Sequence, residues 1–257
     1  RLGWQIRIKN SMTKIAVIGG TGLAALSNIK VLNEKIHKTQ YGQTDAPLVR
    51  GFLSDKEVIF LARHGNPHVI PPHKVNYRAN IRALKDFGIS NIISVNAVGG
   101  ITDSMSPGSI VIPNQVIDYT YSRKHTYFDD GLDQVKHIDF THPYSEHIRA
   151  KLINSANALS IIIKSSATYG ATQGPRLETA AEIKRLEQDG CDLVGMTGMP
   201  EACLARELDM NYASICLIVN WAAGKTDGII TMEVIQRHIK SGMKEINLII
   251  QKAICLF

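Results

Sequence analysis

The chain has 257 residues, of which 44% are hydrophobic and 20% charged, and its formal net charge is +6. A chain of this length and apolar content can bury a sizeable core, and its composition excludes long disordered stretches. Because the Lys and Arg residues are scattered, the positive surplus predicts a small anionic ligand and not nucleic acid. No apolar run reaches the roughly 18 residues that a membrane helix needs, so no membrane partner is expected.

The cysteines predict the cellular compartment, and the first residues of the chain bear on the domain boundaries. All four cysteines lie in the last third of the chain: Cys191, Cys203, Cys216 and Cys255. They form no C-x-x-C pair and are expected to be buried, reduced thiols, which predicts a cytoplasmic protein. Met12 is a candidate start, so residues 1–11 are expected to be a leader or cloning remnant and residues 12–257 a single domain.

Short β-branched runs alternate with helical segments along the chain. The pattern predicts strands at 14–20, 57–65, 91–100, 108–118, 192–196 and 212–220, and one more before a turn at Gly174–Pro175. It predicts helices at 74–88, 143–159, about 177–189, 199–209 and 231–255. This alternation is typical of an α/β domain with a central mixed, partly parallel sheet flanked by helices.

The polar and aromatic stretch 119–142 contains four Asp and three His and fits neither period. A loop of that length without secondary structure is usually functional or part of an interface.

The segment AVIGGTGLAAL at 16–26 is typical of a phosphate-binding loop, and Gly20 to Ala25 fits the dinucleotide pattern G-x-G-x-x-A. A dinucleotide site also needs an acidic residue roughly 20 positions further on, where Glu34 is too early and Asp45 too late. A nicotinamide enzyme is therefore the lesser alternative. The favoured interpretation is that backbone N–H groups and the Thr21 hydroxyl bind a phosphate directly.

Polar residues follow five predicted strands, at the edge of the sheet where ligands of open α/β folds bind. They are Gly19–Gly22, Arg63–His64, Asn96–Ala97 with Gly99–Gly100, Met196–Thr197 and Asn220. Arg63 is the favoured anion ligand, since a guanidinium can hold a phosphate through two donors, although a surface salt bridge is the commoner fate of an arginine.

Two other chemistries find little support in the sequence. The histidines that invite a metal hypothesis are His64, His68 and His73, and His137 and His142 with Asp139 between them. Neither group has the spacing of a zinc site, so no metal is expected. A serine hydrolase would need a G-x-S-x-G turn, which the sequence lacks.

Taken together, six ordered segments resemble the trimeric purine nucleoside phosphorylase and methylthioadenosine phosphorylase family. They are KIAVIGGTGL, RHGNPHVIPPHKVNYRANI, NAVGG, GPRLETAAEI, GMTGMPEACLARE and LIVNWAAG, and they extend from Lys14 through essentially the whole chain. The resemblance implies a nucleoside-phosphorylase-like fold and a pentosyltransferase of purine salvage that acts as a homotrimer. It also implies that inorganic phosphate is a co-substrate and that no other cofactor is used.

The resemblance also assigns residues by position. Phosphate would be held by Thr21, Arg63, His64, Asn96, Ala97 and Thr197. Met196 would pack under the ribose, Asn220 would face the purine, and Asn220, Arg63 and Thr197 would carry catalysis. Phosphate on the far face of the sugar would serve as nucleophile and as counter-charge to a cationic transition state, so that no protein nucleophile is needed.

Two positions predict a 6-oxopurine base. The chain reads Asn220-Trp221-Ala222 where methylthioadenosine phosphorylases carry Asp-x-Asp, and an asparagine can both donate to a 6-oxo group and accept from N7–H. Glu178 stands in GPRLET, which matches the pattern of 6-oxopurine enzymes, and its carboxylate can accept the N1–H that adenine lacks. A mismatched base would leave buried polar groups unpaired.

The segment expected to lie near the 5′ position of the ribose predicts an apolar 5′ substituent. The segment TDGIITMEVIQ offers Ile229, Ile230, Met232 and Ile235 but no histidine before His238, and an apolar wall suits a 5′-methylthio group. The alternative is that Met232 and Ile235 are core residues of the last helix. His137 aligns with a histidine that such enzymes offer to the 5′ pocket of a neighbouring subunit.

The expected substrate is therefore S-methyl-5′-thioinosine. Inosine or guanosine is the first alternative and methylthioadenosine the second, and a non-catalytic nucleotide-binding protein remains open as a different class.

Overall fold

The computed structural model describes residues 15–23, 26, 28–131 and 133–257. The expected leader at 1–11 and Ala25 of the G-x-G-x-x-A pattern lie outside the described residues.

In the described residues six strands precede the first α-helix, and groups of one to three strands separate the helices after it. The strands are β1 (Ile15–Gly19), β2 (Lys30–Lys35), β3 (Lys38–Thr39), β4 (Gly42–Gln43), β5 (Leu48–Leu53), β6 (Lys56–Ala62), β7 (Asn91–Gly100), β8 (Ile110–Val111), β9 (Gln115–Asp118), β10 (Ile163–Lys164), β11 (Thr168–Ala171), β12 (Leu193–Gly195) and β13 (Asn211–Trp221). The helices are α1 (Tyr77–Asp86), α2 (Glu146–Ala158), α3 (Ala180–Gln188), α4 (Gly198–Glu207) and α5 (Met232–Ile254), with a 3-10 turn at Pro72–Lys74.

One 11-stranded sheet has the order β10-β8-β13-β7-β1-β6-β5-β2, and β12, β11 and β9 branch from β7. Strands β13, β7, β1 and β6 run parallel. Strand β5 pairs antiparallel with β6 and β2, and β8 pairs antiparallel with β13 but parallel with β10. Helices flank this sheet, with α1 packed on α4 and α2 on α5. The predicted α/β class with a mixed, partly parallel sheet is confirmed.

Strand β7 has two different neighbours along one edge, and this arrangement creates an opening in the sheet. Its first residues pair with β1 as far as Ser94, and its last two pair with β12 at Gly99 and Gly100. Between these contacts, at 95–98, no strand in the described parts of the chain covers that edge of β7. Ligand-accessible groups can therefore lie in the middle of a strand as well as at its end.

The buried strands follow from their sequences. All five residues of β1 are buried, as are Tyr212 to Val219 of β13, and continuous apolar runs are typical of strands covered on both faces. Helix α3 begins at a capping box in which Thr179 and Glu182 bond each other's backbone N–H, so it starts at Ala180 and not near Leu177.

Two sequence expectations need correction. The single strand expected at 108–118 is two short strands, because Pro113 lies between β8 and β9 and has no N–H to offer a sheet. The buried-thiol expectation holds for Cys191 and Cys216, but Cys203 is half-buried and Cys255 is exposed.

None of the described helices is long and apolar enough to cross a membrane.

The stretch 119–142 contains no helix or strand among its described residues, as its sequence predicts. Several contacts tie it to the body of the protein, among them bonds to α1 and α4. Arg78 of α1 donates to the carboxylate of Asp129 at 2.8 Å, and Glu207 of α4 accepts from the Thr126 hydroxyl and the Tyr127 N–H.

Candidate active site

A cavity of about 390 Å³ lies at the opening beside β7. Thirteen residues were assigned to the site from the sequence, and eleven of them line this cavity: Thr21, Arg63, His64, Asn96, Ala97, Glu178, Met196, Thr197, Asn220, Ala222 and Met232. The other two, Trp221 and His137, do not. Trp221 contributes its backbone carbonyl to the neighbouring Asn220, and His137 is exposed on the 119–142 stretch.

Five groups of polar residues were expected to follow the ends of strands. Three of the five do so, and the other two lie inside a strand. Asn96 and Ala97 lie within β7, at its uncovered edge, and Asn220 lies within β13. A register shift between Ile218 and Asn220 marks a bulge in β13. Bulges re-aim side chains next to binding sites, and this one precedes the residue expected to face the base.

The glycine loop after β1 comes very close to β7 and Arg63. A Cβ on Gly20 would lie 2.5 Å from the Val95 carbonyl oxygen and 2.8 Å from Nη1 of Arg63, so only glycine fits there. Of the residues between this loop and edge strand β2, those that the structure describes (23, 26, 28 and 29) lie in no helix, whereas a dinucleotide fold places a helix directly after its loop. The geometry favours a small anion over a dinucleotide.

Arg63 is 1% exposed, and its guanidinium is held by groups of the protein itself. Nε and Nη2 each donate to a carboxylate oxygen of Glu201 at 2.7 Å, and Nη2 also donates to the Ser94 hydroxyl. Nη1 donates to the Val95 carbonyl at 3.2 Å. Burial opposes the charge, but the Glu201 carboxylate outweighs it and raises the pKa of Arg63 above its usual range. The two-donor face expected to hold phosphate is thus turned to Glu201, and only Nη1 lies toward the glycine loop.

Asn96 and Thr197 belong to the same buried network. The Thr197 hydroxyl donates to Oδ1 of Asn96 at 2.8 Å, and Nδ2 of Asn96 donates to the Ser214 hydroxyl at 2.5 Å. Ser94 in turn donates to Glu201. Hydrogen bonds of this kind hold the cavity floor in one arrangement, and the Thr197 proton must turn away from Asn96 before it can bond an anion.

His64 is an uncharged ring in the folded protein. Burial, and then the charge of Arg63, lower its pKa to about 4. Its Nδ1 lies 2.8 Å from the Ile70 carbonyl oxygen. Because a carbonyl can only accept a hydrogen bond, Nδ1 carries the proton of the neutral ring, and Nε2 is left as a hydrogen-bond acceptor. A group of this kind matches the P–OH of a protonated phosphate.

The end of the cavity expected to hold the base presents an amide and a carboxylate. Nδ2 of Asn220 donates to the Trp221 carbonyl at 2.7 Å, which fixes which side of the amide faces that carbonyl. Glu178 is half-buried and accepts from the Thr172 hydroxyl at 2.6 Å through one carboxylate oxygen. Ala222 is 3% exposed and packs with Ile101, Val194 and other apolar side chains.

Part of the cavity wall is apolar. Ile230, just before α5, and Met232 and Ile235, in its first turn, line the cavity together with Val69 and Ile70. Ile229 is 90% exposed and lies outside the cavity.

In the described parts of the chain, no three His, Cys, Asp or Glu residues cluster as a metal site would require. A separate cavity of about 710 Å³ lies between the start of α2 and the end of α4. None of the residues predicted to bind phosphate or nucleoside lines it.

Comparison with known proteins places the chain in a family. The sequence profile of the phosphorylase superfamily matches residues 14–254. The chain belongs to this superfamily, which confirms the resemblance seen in its motifs, and as a member it is an enzyme of the pentosyltransferase class.

Several relatives cover nearly the whole chain. It is 50% identical over 235 residues to a probable S-methyl-5′-thioinosine phosphorylase of Pseudomonas syringae pv. tomato, covering 91% of this chain and 96% of the relative. It is 43% identical over 245 residues to a 6-oxopurine nucleoside phosphorylase of Pyrococcus furiosus, and the match covers 93% of this chain and 91% of that relative. Among solved structures, the methylthioadenosine phosphorylase of Schistosoma mansoni with adenine superimposes with a TM-score of 0.90 at 30% identity, over 95% and 91% of the two chains.

Sequence reasoning missed several residues that shape the cavity. Glu201 and Thr172 escaped notice, although a carboxylate inside the apolar run MPEACLA was a usable signal for Glu201. Arg123 also lies beside the site, and nothing in its local sequence distinguishes it from a surface arginine.

Proposed function

We propose that this enzyme cleaves S-methyl-5′-thioinosine with inorganic phosphate, giving hypoxanthine and 5-methylthioribose 1-phosphate. The observation that carries the proposal is the occurrence in one cavity of Asn220 and Glu178 at the base end with the apolar wall of α5 at the sugar end. Relatives named for this nucleoside and for 6-oxopurine nucleosides support both halves of it.

The base end supports a 6-oxopurine. The Glu178 oxygen that Thr172 leaves free can accept N1–H of hypoxanthine. The Trp221 carbonyl holds Nδ2 of Asn220 on one side, which leaves its second N–H for the 6-oxo group and Oδ1 for N7–H. Ala222 adds no acceptor for a 6-amino group.

The sugar end supports a methylthio substituent. A 5′-hydroxyl against Ile230, Met232 and Ile235 would lose its hydrogen bonds to water without replacement, whereas a thioether loses little. This observation ranks S-methyl-5′-thioinosine above inosine, which stays the second candidate because Val69 and the start of α5 leave the wall partly open to water.

In the proposed reaction a phosphate oxygen forms a bond to C1′ as the C1′–N9 bond breaks. The bonding electrons pass to the purine, which takes up a proton at N7 from solvent, and Oδ1 of Asn220 would accept the hydrogen bond from N7–H. The glycine loop, Thr21, Thr197 and Nη1 of Arg63 would position the phosphate, and Nε2 of His64 would accept a hydrogen bond from its P–OH group. The proton that the phosphate gives up on forming the ester passes to solvent, so protons balance. Positioning and fixed dipoles supply the acceleration, and the reaction needs no cofactor.

We also propose, from the family resemblance, that the active form is a cytoplasmic homotrimer. His137 would then reach a neighbouring subunit's 5′ pocket, which is consistent with its exposed position outside its own cavity. Light scattering tests the trimer.

The test is a panel of S-methyl-5′-thioinosine, inosine, guanosine and methylthioadenosine, each with and without phosphate. We expect phosphate-dependent release of hypoxanthine, with kcat/KM for S-methyl-5′-thioinosine at least about 100-fold above that for methylthioadenosine and about tenfold above that for inosine. Equal values for the two methylthio substrates would refute the base assignment, and equal values for the two 6-oxo substrates the sugar assignment. Absence of base release with every substrate would favour a binding protein.

A further inference from the structure

Arg123 is a buried cation in the 119–142 stretch, outside the set of residues that line the cavity. It is 8% exposed, and no carboxylate of the described residues lies within ion-pair distance of it. Isolated charges are costly to bury unless hydrogen bonds replace their water. This one is surrounded by backbone carbonyls.

The guanidinium of Arg123 bridges the ends of two adjacent strands. After β12, Nη1 donates to the carbonyls of Met196 at 2.8 Å and Met199 at 2.7 Å. After β11, Nη2 donates to the carbonyls of Thr172 at 3.3 Å and Gln173 at 2.7 Å.

Two further bonds complete the set, from Nε to Oε1 of Gln173 and from Nη1 to the Tyr77 hydroxyl. The two strands themselves remain bonded only as far as the Thr172 N–H and the Gly195 carbonyl.

These two strand ends carry opposite parts of the proposed site. The Met196 carbonyl belongs to the peptide that links Met196, under the ribose, to Thr197, at the phosphate. Thr172 holds the carboxylate of Glu178 at the base. The ends also touch, since a Cβ on Gly174 would lie 2.4 Å from Sδ of Met196.

We propose that Arg123 is a positioning residue for phosphorolysis: by bonding both strand ends at once, it sets the distance between the base-binding Glu178 and the Met196–Thr197 peptide. The inference rests on the proposed function. Charge-assisted hydrogen bonds are about twice as strong as neutral ones, and a planar fork holds several acceptors in fixed directions. A displacement of about 1 Å in such a site can cost about 100-fold in rate.

The alternative is that Arg123 only anchors the 119–142 stretch. Arg78 provides the matched control, because it anchors the same stretch through Asp129 and the Thr126 carbonyl and contacts no cavity residue. The test compares Arg123→Lys with Arg78→Lys. Lysine keeps the charge but offers three donors in place of the fork, so it cannot satisfy both strand ends.

We expect both variants to remain folded by circular dichroism. Arg123→Lys should lower kcat/KM for S-methyl-5′-thioinosine at least tenfold at 25 °C, with a higher nucleoside KM and a lower kcat. Arg78→Lys should stay within about twofold of the wild type, even if its Tm falls. A folded Arg123→Lys protein with wild-type kcat and KM would overturn the proposal.

A measurement on the wild-type protein keeps the proposal testable if Arg123→Lys does not fold. Hydrogen exchange is followed with S-methyl-5′-thioinosine in phosphate-free buffer, where no turnover occurs. We expect the nucleoside to slow exchange in 195–200 and 172–178 and also in 120–126. Slower exchange at 195–200 and 172–178 with no change at 120–126 would overturn the proposal that Arg123 couples the two strand ends. No slowing anywhere, with no activity, would instead refute the proposed function.

Discussion

At the scale of single residues, the side chain of Asn220 is oriented by a backbone group. Its Nδ2 lies 2.7 Å from the Trp221 carbonyl, so an aspartate in the same rotamer would bring a carboxylate oxygen against a carbonyl oxygen. The repulsion would turn the side chain away from the base. The proposed preference for a 6-oxopurine would therefore depend on the Asn220–Trp221 contact as well as on the amide itself.

This geometry predicts the outcome of exchanging the base-facing residues. Asn220→Asp alone should lower kcat/KM for S-methyl-5′-thioinosine by about 100-fold without a gain on methylthioadenosine, because one transition-state contact is lost and none is made. Asn220→Asp with Ala222→Asp should shift the ratio toward methylthioadenosine, since the second carboxylate supplies the missing acceptor. Ala222→Asp alone is the control for placing a carboxylate in that apolar cluster. A double variant that keeps the wild-type ratio would show that other residues select the base.

The sequence predicted most of these residue positions but not their partners. Arg63 was identified from its place after an apolar strand, yet its bonds to Glu201 join residues 138 positions apart, and local sequence carries no information on such a contact. Arg123 was missed for the same reason, since its six bonds reach residues 46 to 76 positions away. Buried polar networks depend on which strands become neighbours, and that is decided by the whole fold.

At the scale of elements, the site depends on an interrupted strand pairing and on the packing of the last helix. The predicted strands at β1, β6, β7, β12 and β13 were right because each is a buried apolar run. Residues 28–55 were left unassigned, although they contain β2 to β5. Strand β2 is exposed at all six positions, so it lacks the alternation of apolar and polar residues by which half-buried strands are recognised.

The glycine loop and helix α5 are in direct contact, and this predicts a long-range effect on phosphate. Gly22 has φ of +87°, and a Cβ there would lie 2.3 Å from Cγ2 of Ile239 in α5. Gly22→Ala should therefore displace the loop and raise the phosphate KM at least tenfold, with a loss of about 1–2 kcal/mol in stability. Initial rates at varied phosphate measure the first effect and thermal melting the second.

Two further variants separate the effect of the clash with Ile239 from the effect of backbone strain at Gly22. Gly228→Ala introduces the same methyl group where no atom lies within 4 Å, and it should leave the phosphate KM unchanged. Gly22→Ala with Ile239→Ala removes the clash but keeps the backbone strain, so it should recover part of the phosphate affinity. A phosphate KM that Gly22→Ala leaves at the wild-type value would remove the loop from the anion site.

At the scale of the whole molecule, the site couples anion binding to the acid stability of the fold. A net charge of +6 favours anions in general, but the local charge of Arg63 is offset by Glu201. The proposed binding of phosphate would therefore depend on backbone N–H groups and neutral donors more than on free cations. The uncharged His64 belongs to this arrangement because a second cation beside Arg63 is disfavoured.

His64 therefore predicts how stability changes with pH. Its pKa is lowered from 6.5 to about 4 on folding, by burial and then by Arg63. Below pH 6.5 the unfolded chain takes up this proton and the folded protein does not, so the stabilisation present above pH 6.5 is lost as the pH falls toward 4. At about 1.4 kcal/mol per pKa unit, the loss reaches about 2.5 kcal/mol at pH 4.5.

The measurement compares the free energies of unfolding of the wild type and His64→Asn at pH 7.5 and pH 4.5. Asparagine can still donate to the Ile70 carbonyl but does not titrate, so its stability lacks this dependence on pH. The difference between the two proteins should shift by about 2.5 kcal/mol in favour of the variant at the lower pH. His68, whose pKa is also lowered by burial and then by Arg63, is present in both proteins and stacks on the His64 ring in the wild type. A difference that stays constant between the two pH values would mean that folding leaves the pKa of His64 unchanged, so that His64 is protonated at pH 4.5 in the folded protein as in the unfolded chain.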